Sequence, residues 1–435
     1  MNRKEKREKK KEIKILDNVV TIINQYLPLK KELIKLTDMR NQSYVKYELK
    51  IIVMVQLFGY ISEQKSMRKM TNKFNTKETI ENICEILKIN VDELPHYDTI
   101  NDALSKIDLE EFRSIIKNII YELIRNKMFD KYRVKNKYFQ IVVDGTGLAS
   151  FNHRHCKHCL KKVYKNADST IKEVRYYHYV LEAKLVIGNM VFSIDSEFVE
   201  NENEDIAKQD CELNAFKRMC ERIKSFFKRL SIIISGDALY ACSTVVDICK
   251  KNNWEYVIRF KKERISTLGE NLDGLEKIYD KENNSCKIIS RFWNKVHSGN
   301  SICREYNIIE FYEYKKNKII EFIWITSFEI TNKNIQDLIL VGRKRWKIEN
   351  EGFNEQKNGT FDIMHLYSHD SNAMKIHYLI IQIAHIIRQL LENGIQIIKE
   401  LKMTKKEVSD LFKDALTQTK ICCNQPLKRI QLRFD

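Results

Sequence analysis

Three carboxylates stand far apart in the chain, each in a setting that suits a shared metal site. They are Asp144 in Phe139-Gln-Ile-Val-Val-Asp144-Gly, Asp237 in Ile232-Ile-Ile-Ser-Gly-Asp237-Ala, and Glu349 in Arg345-Trp-Lys-Ile-Glu349. Each Asp closes an apolar, β-branched run of the kind that forms a buried strand, whereas the Glu lies in a charged amphipathic stretch of helical period. Strand-end carboxylates that converge with one helix carboxylate can hold two divalent cations, which activate an attacking oxygen and steady a leaving one in phosphodiester chemistry. Taken singly, an Asp after a hydrophobic run is commonly a turn or capping residue. The joint occurrence of the three is what points to catalysis. Glu351 competes with Glu349 for the third place, but the two lie about 200° apart around a helix, so one active-site face can use only one of them. Glu349 shares its stripe with Arg345 and Phe353, and Glu351 aligns with Lys347 and Glu355 on what reads as a solvated face.

A second constellation is His153-Arg-His155-Cys156-Lys-His158-Cys159, which gathers three of the ten histidines and two of the eleven cysteines into one short segment. The Cys156-x-x-Cys159 spacing lets two thiolates grip one zinc ion, and a tetrahedral site then needs two further ligands, for which His153, His155, His178 and Cys211 are available. The other reading is a basic loop that touches DNA through its Arg and Lys, and on the sequence alone both stand. Asp210 and Glu212 are also about 200° apart on a helix and cannot both face one metal. His365, His369 and His377 read as structural or DNA-proximal.

The elements that must position these groups follow from periodicity. Residues 1–135 read as helical, with basic residues between apolar stripes, and form the expected DNA-binding region. Within it Met67-Arg-Lys-Met-Thr-Asn-Lys-Phe74 is either part of a small DNA-binding unit or a plain solvated face. Residues 136–254 carry strand runs at Phe139–Asp144, Val180–Ile187, Met190–Val199 and Ser231–Asp237, with a helical stretch at Asp205–Leu230 before the last. Three strands, a helix and a fourth strand is the order of a ribonuclease H-like core, in which the first and fourth strands are neighbours. Residues 255–328 alternate aromatic, β-branched and charged residues and read as a β-rich insertion. Residues 329–395 complete the core, with a helix from about Asn334 to Lys357 whose stripe is Ile335, Ile339, Gly342, Trp346 and Phe353. Residues 396–435 read as a basic helical tail. The expected fold is thus α/β, a mixed sheet flanked by helices.

The chain has 435 residues, a formal charge of +17 and a pI near 9.2. A polyanionic partner is expected, and with 59 acidic residues the excess reads as basic surfaces on a folded protein and not as a disordered tail. The longest apolar stretches, Ile51–Ile61 and Tyr378–Leu391, are too short or too interrupted to span a bilayer, and residues 1–14 lead into no signal-type apolar core. A soluble cytoplasmic protein is expected, associated with the nucleoid when on DNA. In such a setting close cysteines imply metal sooner than a disulfide framework.

Over most of residues 138–390 the chain resembles a DDE-type transposase of a bacterial insertion sequence. The resemblance rests on Val143-Asp144-Gly-Thr, on Ser235-Gly-Asp237-Ala, and above all on Arg345-Trp-x-Ile-Glu349 with Phe353 and Lys357, which is similar to the Tyr-Arg-Glu-Lys signature of transposases with a β-strand insertion before the catalytic Glu. The signature's Tyr falls at Gly342, and its Lys falls at Gln356, one short of Lys357. The resemblance implies two magnesium or manganese ions on Asp144, Asp237 and Glu349, and phosphate contacts from Arg345 and Lys357. It further implies a flipped base held by a Trp of the insertion, Trp293, and a homodimer assembled on double-stranded DNA. The activity implied is cleavage at terminal inverted repeats followed by strand transfer to target DNA. A repurposed, non-catalytic DNA-binding protein and a nuclease of the same fold are the alternatives.

Overall fold

The computed structural model describes residues 3–202, 208–273, 287–299, 304–315, 318–359, 361–421 and 429–434. The first part of the Asp205–Leu230 stretch, parts of the 255–328 insertion and residues 422–428 of the basic tail therefore lie outside the described residues. The strands are β1 (Phe139–Phe151), β2 (Leu160–Lys165), β3 (Ile171–Ile187), β4 (Met190–Val199), β5 (Ile232–Ser235), β6 (Glu255–Phe260), β7 (Lys287–His297), β8 (Glu305–Lys315) and β9 (Lys318–Thr326). All nine belong to one sheet.

The order β4-β3-β1-β5-β6, with β3 antiparallel to both β4 and β1, and β1, β5 and β6 mutually parallel, is the ribonuclease H-like arrangement expected from the sequence. Parallel neighbours need a crossover, and the helices Glu212–Phe226 and Ser243–Asn252 provide it before and after β5. Pairing of Phe139 with Ile232 and Val142 with Ser235 sets β1 and β5 in register, so β5 ends level with Val142 while β1 runs on beside β3. Beyond β6 the sheet continues antiparallel through β9, β8 and β7. The aromatic and β-branched alternation of the insertion thus extends the core sheet. At the other end, the far half of β1 and the first half of β3 run on past the core and are capped by β2.

The Ser371–Gly394 helix is buried along nearly its whole length, its polar side chains as well as its apolar ones. It begins as the sequence suggests, with the Asp370 side chain accepting from Ala373 N at 2.8 Å. One side meets the sheet, where Tyr378 OH donates to Glu182 Oε1 (3.0 Å), Lys184 Nζ donates to Gln382 Oε1 (2.7 Å), and Gln389 bonds both backbone groups of Val191. Its other side meets the N-terminal helices, where Tyr60 OH lies 2.6 Å from His377 Nδ1 and Arg388 reaches Ile61 O. Residues from Ile15 to Leu123 share the main apolar core with this helix and the sheet. Ion pairs tie the same layers together: Asp195 to Arg222 (3.0 Å), and Glu197 to Arg222 (2.6 Å), Arg218 (2.6 Å) and Arg113 (3.3 Å). No helix among the described residues is long and apolar enough to cross a membrane.

Candidate active site

Asp144 sits mid-strand on β1, opposite Glu182 of β3, at the point where β5 has already ended. Its Oδ1 accepts from Gly145 N at 2.9 Å. Gly145 is needed because a Cβ there would run into the Tyr179 ring. Asp237 follows β5 by two residues and caps the short turn Ala238–Tyr240, its Oδ1 accepting from Leu239 N at 2.8 Å. Glu349 comes from the helical segment packed across the sheet end. Arg345 Nη1 lies 3.3 Å from Asp144 Oδ2 and 3.4 Å from Glu349 Oε1, a cation drawn between two acids. Burial pushes the Asp144 carboxyl up to about 7. Arg345 opposes that rise, and the negative charges of Asp237 and Glu349 add to it. Arg345 thus links Asp144 to Glu349, and the charge of Asp237 is felt at Asp144, although the ligand atoms of the three acids do not all lie within 4.8 Å of one another.

The segment that carries Glu349 is not the single α-helix expected from Asn334 to Lys357. It runs as an α-helix over Ile335–Arg343, tightens to a 3-10 turn at Lys344–Trp346, widens to a π-helix over Ile348–Asn354 and closes with Glu355–Asn358. A π-helix accommodates one extra residue within a turn, and such insertions recur at functional sites. The change of phase corrects two expectations. Trp346 leaves the buried stripe and is 47% exposed, with the Arg345 guanidinium over its ring. Glu355 leaves the solvated face and is buried, paired to Lys405 Nζ at 2.5 Å and His385 Nε2 at 3.4 Å. Phase also separates the basic candidates. Gln356 is buried on Gln382 and His385, whereas Lys357 is the residue on which the charge of Asp144 acts. Ile348 and Phe353 anchor the segment on Val142, Val186 and Val191 of the sheet. Glu351 turns to Lys347 Nζ (3.1 Å), away from the acids.

Asp237 forms one wall of a cleft of about 290 Å³ whose other walls carry Arg259, Lys261, Arg345 and the rings of Phe322, Trp324 and Trp346. Gly342 also lines it, and a Cβ at that position would lie 2.5 Å from the Trp324 indole, so the glycine makes room for the ring. Trp293 is not brought to this place. It is 5% exposed, on β7, inside the main core. Sequence reasoning missed Arg259 and Lys261, at the end of β6, and weighed Glu212 only as a possible metal-facing acid, whereas it accepts from Tyr179 OH (2.7 Å) and Tyr240 OH (2.9 Å). Asp210 lies ahead of the Glu212–Phe226 helix, not on it as expected, and pairs with Arg218 at 2.7 Å, so helical spacing is not what separates it from Glu212. Cys156 and Cys159 lie in the loop beyond β1, with His178 beside them on β3.

Residues 31–119 match the family described as DDE_Tnp_1-associated. No curated protein matches the chain. Among solved structures, the cryo-EM piggyBac transposase synaptic complex with hairpin DNA is similar at 12% identity, covering 93% of this chain and 81% of that one with a TM-score of 0.44. The NurA nuclease from Sulfolobus solfataricus is similar at 12% identity, covering 59% and 90% with a TM-score of 0.26. At scores this low neither likeness establishes a shared fold, and the strand order stands by itself. The family match falls on the N-terminal helices, not on the acids.

Proposed function

We propose that the chain is a DNA transposase of the DDE type, which binds the terminal inverted repeats of its element, cuts there and joins the freed 3′-hydroxyl to target DNA. The observation that supports this reading is that Arg345, which bridges Asp144 and Glu349, also lines the basic, aromatic cleft that Asp237 opens onto. The family match at residues 31–119 supports it independently. An all-carboxylate donor set suits magnesium or manganese, and the elevated Asp144 carboxyl marks a place where added positive charge is favoured. The three acids would hold two such ions, which when bound lower the pKa of the attacking oxygen and neutralise the leaving one.

The chain's own residues do the remaining work. Asp144 must release its proton before it can act as a ligand, so activity at limiting magnesium should rise with pH, and added magnesium should move that rise to lower pH. Arg345, Lys357, Arg259 and Lys261 would grip phosphates around the scissile bond. Trp346, exposed at the cleft, is placed to stack on a displaced base, the role first assigned to Trp293. The exposed Arg68, Lys69 and Lys73, on a helix whose Met67, Met70 and Phe74 are buried, present a basic face to repeat DNA. This chemistry belongs in the cytoplasm of a bacterial cell, on two paired DNA ends held by a homodimer.

The test uses the full chain and DNA carrying the inverted repeats that flank its gene. Glu349→Gln, Asp144→Asn and Asp237→Asn should each abolish magnesium-dependent cleavage and leave repeat binding intact, while Glu351→Gln stays active. An active Glu349→Gln enzyme beside a dead Glu351→Gln one would overturn the site. Cleavage with no strand-transfer product would make the chain a nuclease.

A further inference from the structure

Cys156 Sγ lies 3.7 Å from Cys159 Sγ and 3.7 Å from His178 Nε2, and Cys159 Sγ lies 3.6 Å from the same nitrogen. A disulfide would need a sulfur separation of about 2.05 Å. A tetrahedral zinc ion with bonds of about 2.3 Å to sulfur and about 2.0–2.1 Å to nitrogen instead requires ligand separations of about 3.8 Å between sulfurs and about 3.6 Å from sulfur to nitrogen. Three edges of that tetrahedron are present.

The fourth ligand is identifiable. The ligand atoms of His155, Cys156 and His178 lie within 4.8 Å of one another. His155 Nδ1 is buried and has no hydrogen-bond partner among the described residues, while its Nε2 lies 2.8 Å from His369 Nδ1. A metal-bound imidazole characteristically gives its other nitrogen to an acceptor that fixes the ring, and stacking of His155 on Phe151 and His369 holds it further. The other nearby candidates point elsewhere: His158 Nδ1 lies 2.8 Å from Asn201 O, and Cys211 is exposed ahead of the Glu212–Phe226 helix.

We infer that Cys156, Cys159, His178 and His155 form a structural zinc site, with His369 orienting His155 from outside. Two thiolates and two imidazoles close the coordination shell, so the site holds a metal and leaves no position for substrate. Its placement gives it a purpose. The loop it closes joins β1, which carries Asp144, to β2, and His178 adjoins Tyr179, whose ring covers Gly145. His369 lies on the segment that leads from the Glu349 helix into the Ser371–Gly394 helix. The zinc therefore ties the strand of the first acid to the chain that follows the third. This holds whether or not the chain is a transposase.

Elemental analysis of the untagged full chain, purified without chelator, should give about one zinc per chain. Replacement by cobalt(II) should give the d–d and thiolate charge-transfer bands of a tetrahedral sulfur–nitrogen site. Cys156→Ser and Cys159→Ser should lose the metal, and His369→Ala should weaken its binding by about 10–100-fold while keeping the cobalt geometry. Zinc content should be unchanged in an Asp144→Asn, Asp237→Asn, Glu349→Gln triple variant, which separates this site from the acids. Wild-type protein with no zinc and no tetrahedral cobalt spectrum would overturn the inference, as would zinc retained in both Ser variants or lost in the triple variant.

Discussion

Replacing Asp144 by Asn should stabilise the metal-free protein, and the gain should depend on pH. The carboxyl sits at about 7 in the folded chain against 3.8 ordinarily, chiefly because it is buried. A folded pKa raised in this way means that the favourable contribution of neutral Asp144 is complete below the ordinary value and is lost as pH rises through the folded one. Between those limits the unfolded chain releases the proton and the folded chain keeps it, so wild-type stability falls by about 1.4 kcal/mol per pH unit and then levels off. Asn keeps the acceptor for Gly145 N–H and has no charge to bury. From about pH 5 to about pH 8, Asp144→Asn should therefore gain roughly 3 kcal/mol on wild type. Urea denaturation of both proteins in chelator at the two pH values measures this, and comparing each protein with itself across pH cancels other effects of the substitution. Magnesium should narrow that gap: at a hundred times its dissociation constant it stabilises a binding-competent wild type by about 2.7 kcal/mol and a binding-deficient Asn variant by far less. A wild-type to Asn difference that stays flat with pH would refute the claim that Asp144 is buried among like charges.

The aromatic cleft gives a second test: Gly342→Ala places a methyl against the Trp324 ring and should cost about 1–3 kcal/mol in urea denaturation, whereas a neutral result would mean that the ring does not pack there. Trp293→Ala, a buried change, should cost about 3–5 kcal/mol. Trp346→Ala should alter stability by less than about 0.5 kcal/mol yet slow cleavage of DNA ends, and the opposite ranking would restore Trp293 as the base-stacking ring. Affinity for DNA should fall steeply with salt, since a chain of charge +17 binds largely through phosphate contacts and counterion release. A flat salt dependence would place recognition elsewhere.

The core strands were legible because their β-branched runs are long and unbroken, and the pairing of the strands that lead to Asp144 and Asp237 follows from the order of elements alone. The Glu349 helix was legible as a helix but not in its phase. Nothing in Arg345–Asn358 signals locally that the chain will tighten and then widen. That switch is set by Ile348 and Phe353 seating on Val142, Val186 and Val191, a tertiary contact that overrides the helical period. The errors at Trp346 and Glu355 share this cause. Trp293 misled for a different reason: an aromatic on an alternating strand faces either the core or the surface, and only the register of β7 on β8 decides which. The zinc ligands divide in the same way, since Cys156 and Cys159 announce themselves by spacing, whereas His178 joins them only because β3 folds back beside β1.

The buried Ser371–Gly394 helix has a consequence for how DNA must be presented. Its 24 residues span about 36 Å, roughly ten base-pair steps of duplex. Because the N-terminal helices pack on this one rod and, through the Arg113–Glu197 pair, on the sheet as well, a basic face at Arg68–Lys73 is tied to the three acids through a shared core. The protein then behaves as a caliper. On the proposed function, where it grips the duplex would dictate which phosphate it reaches, and inserting a few base pairs between grip and cut site should not move the cut along with the recognition sequence but abolish it.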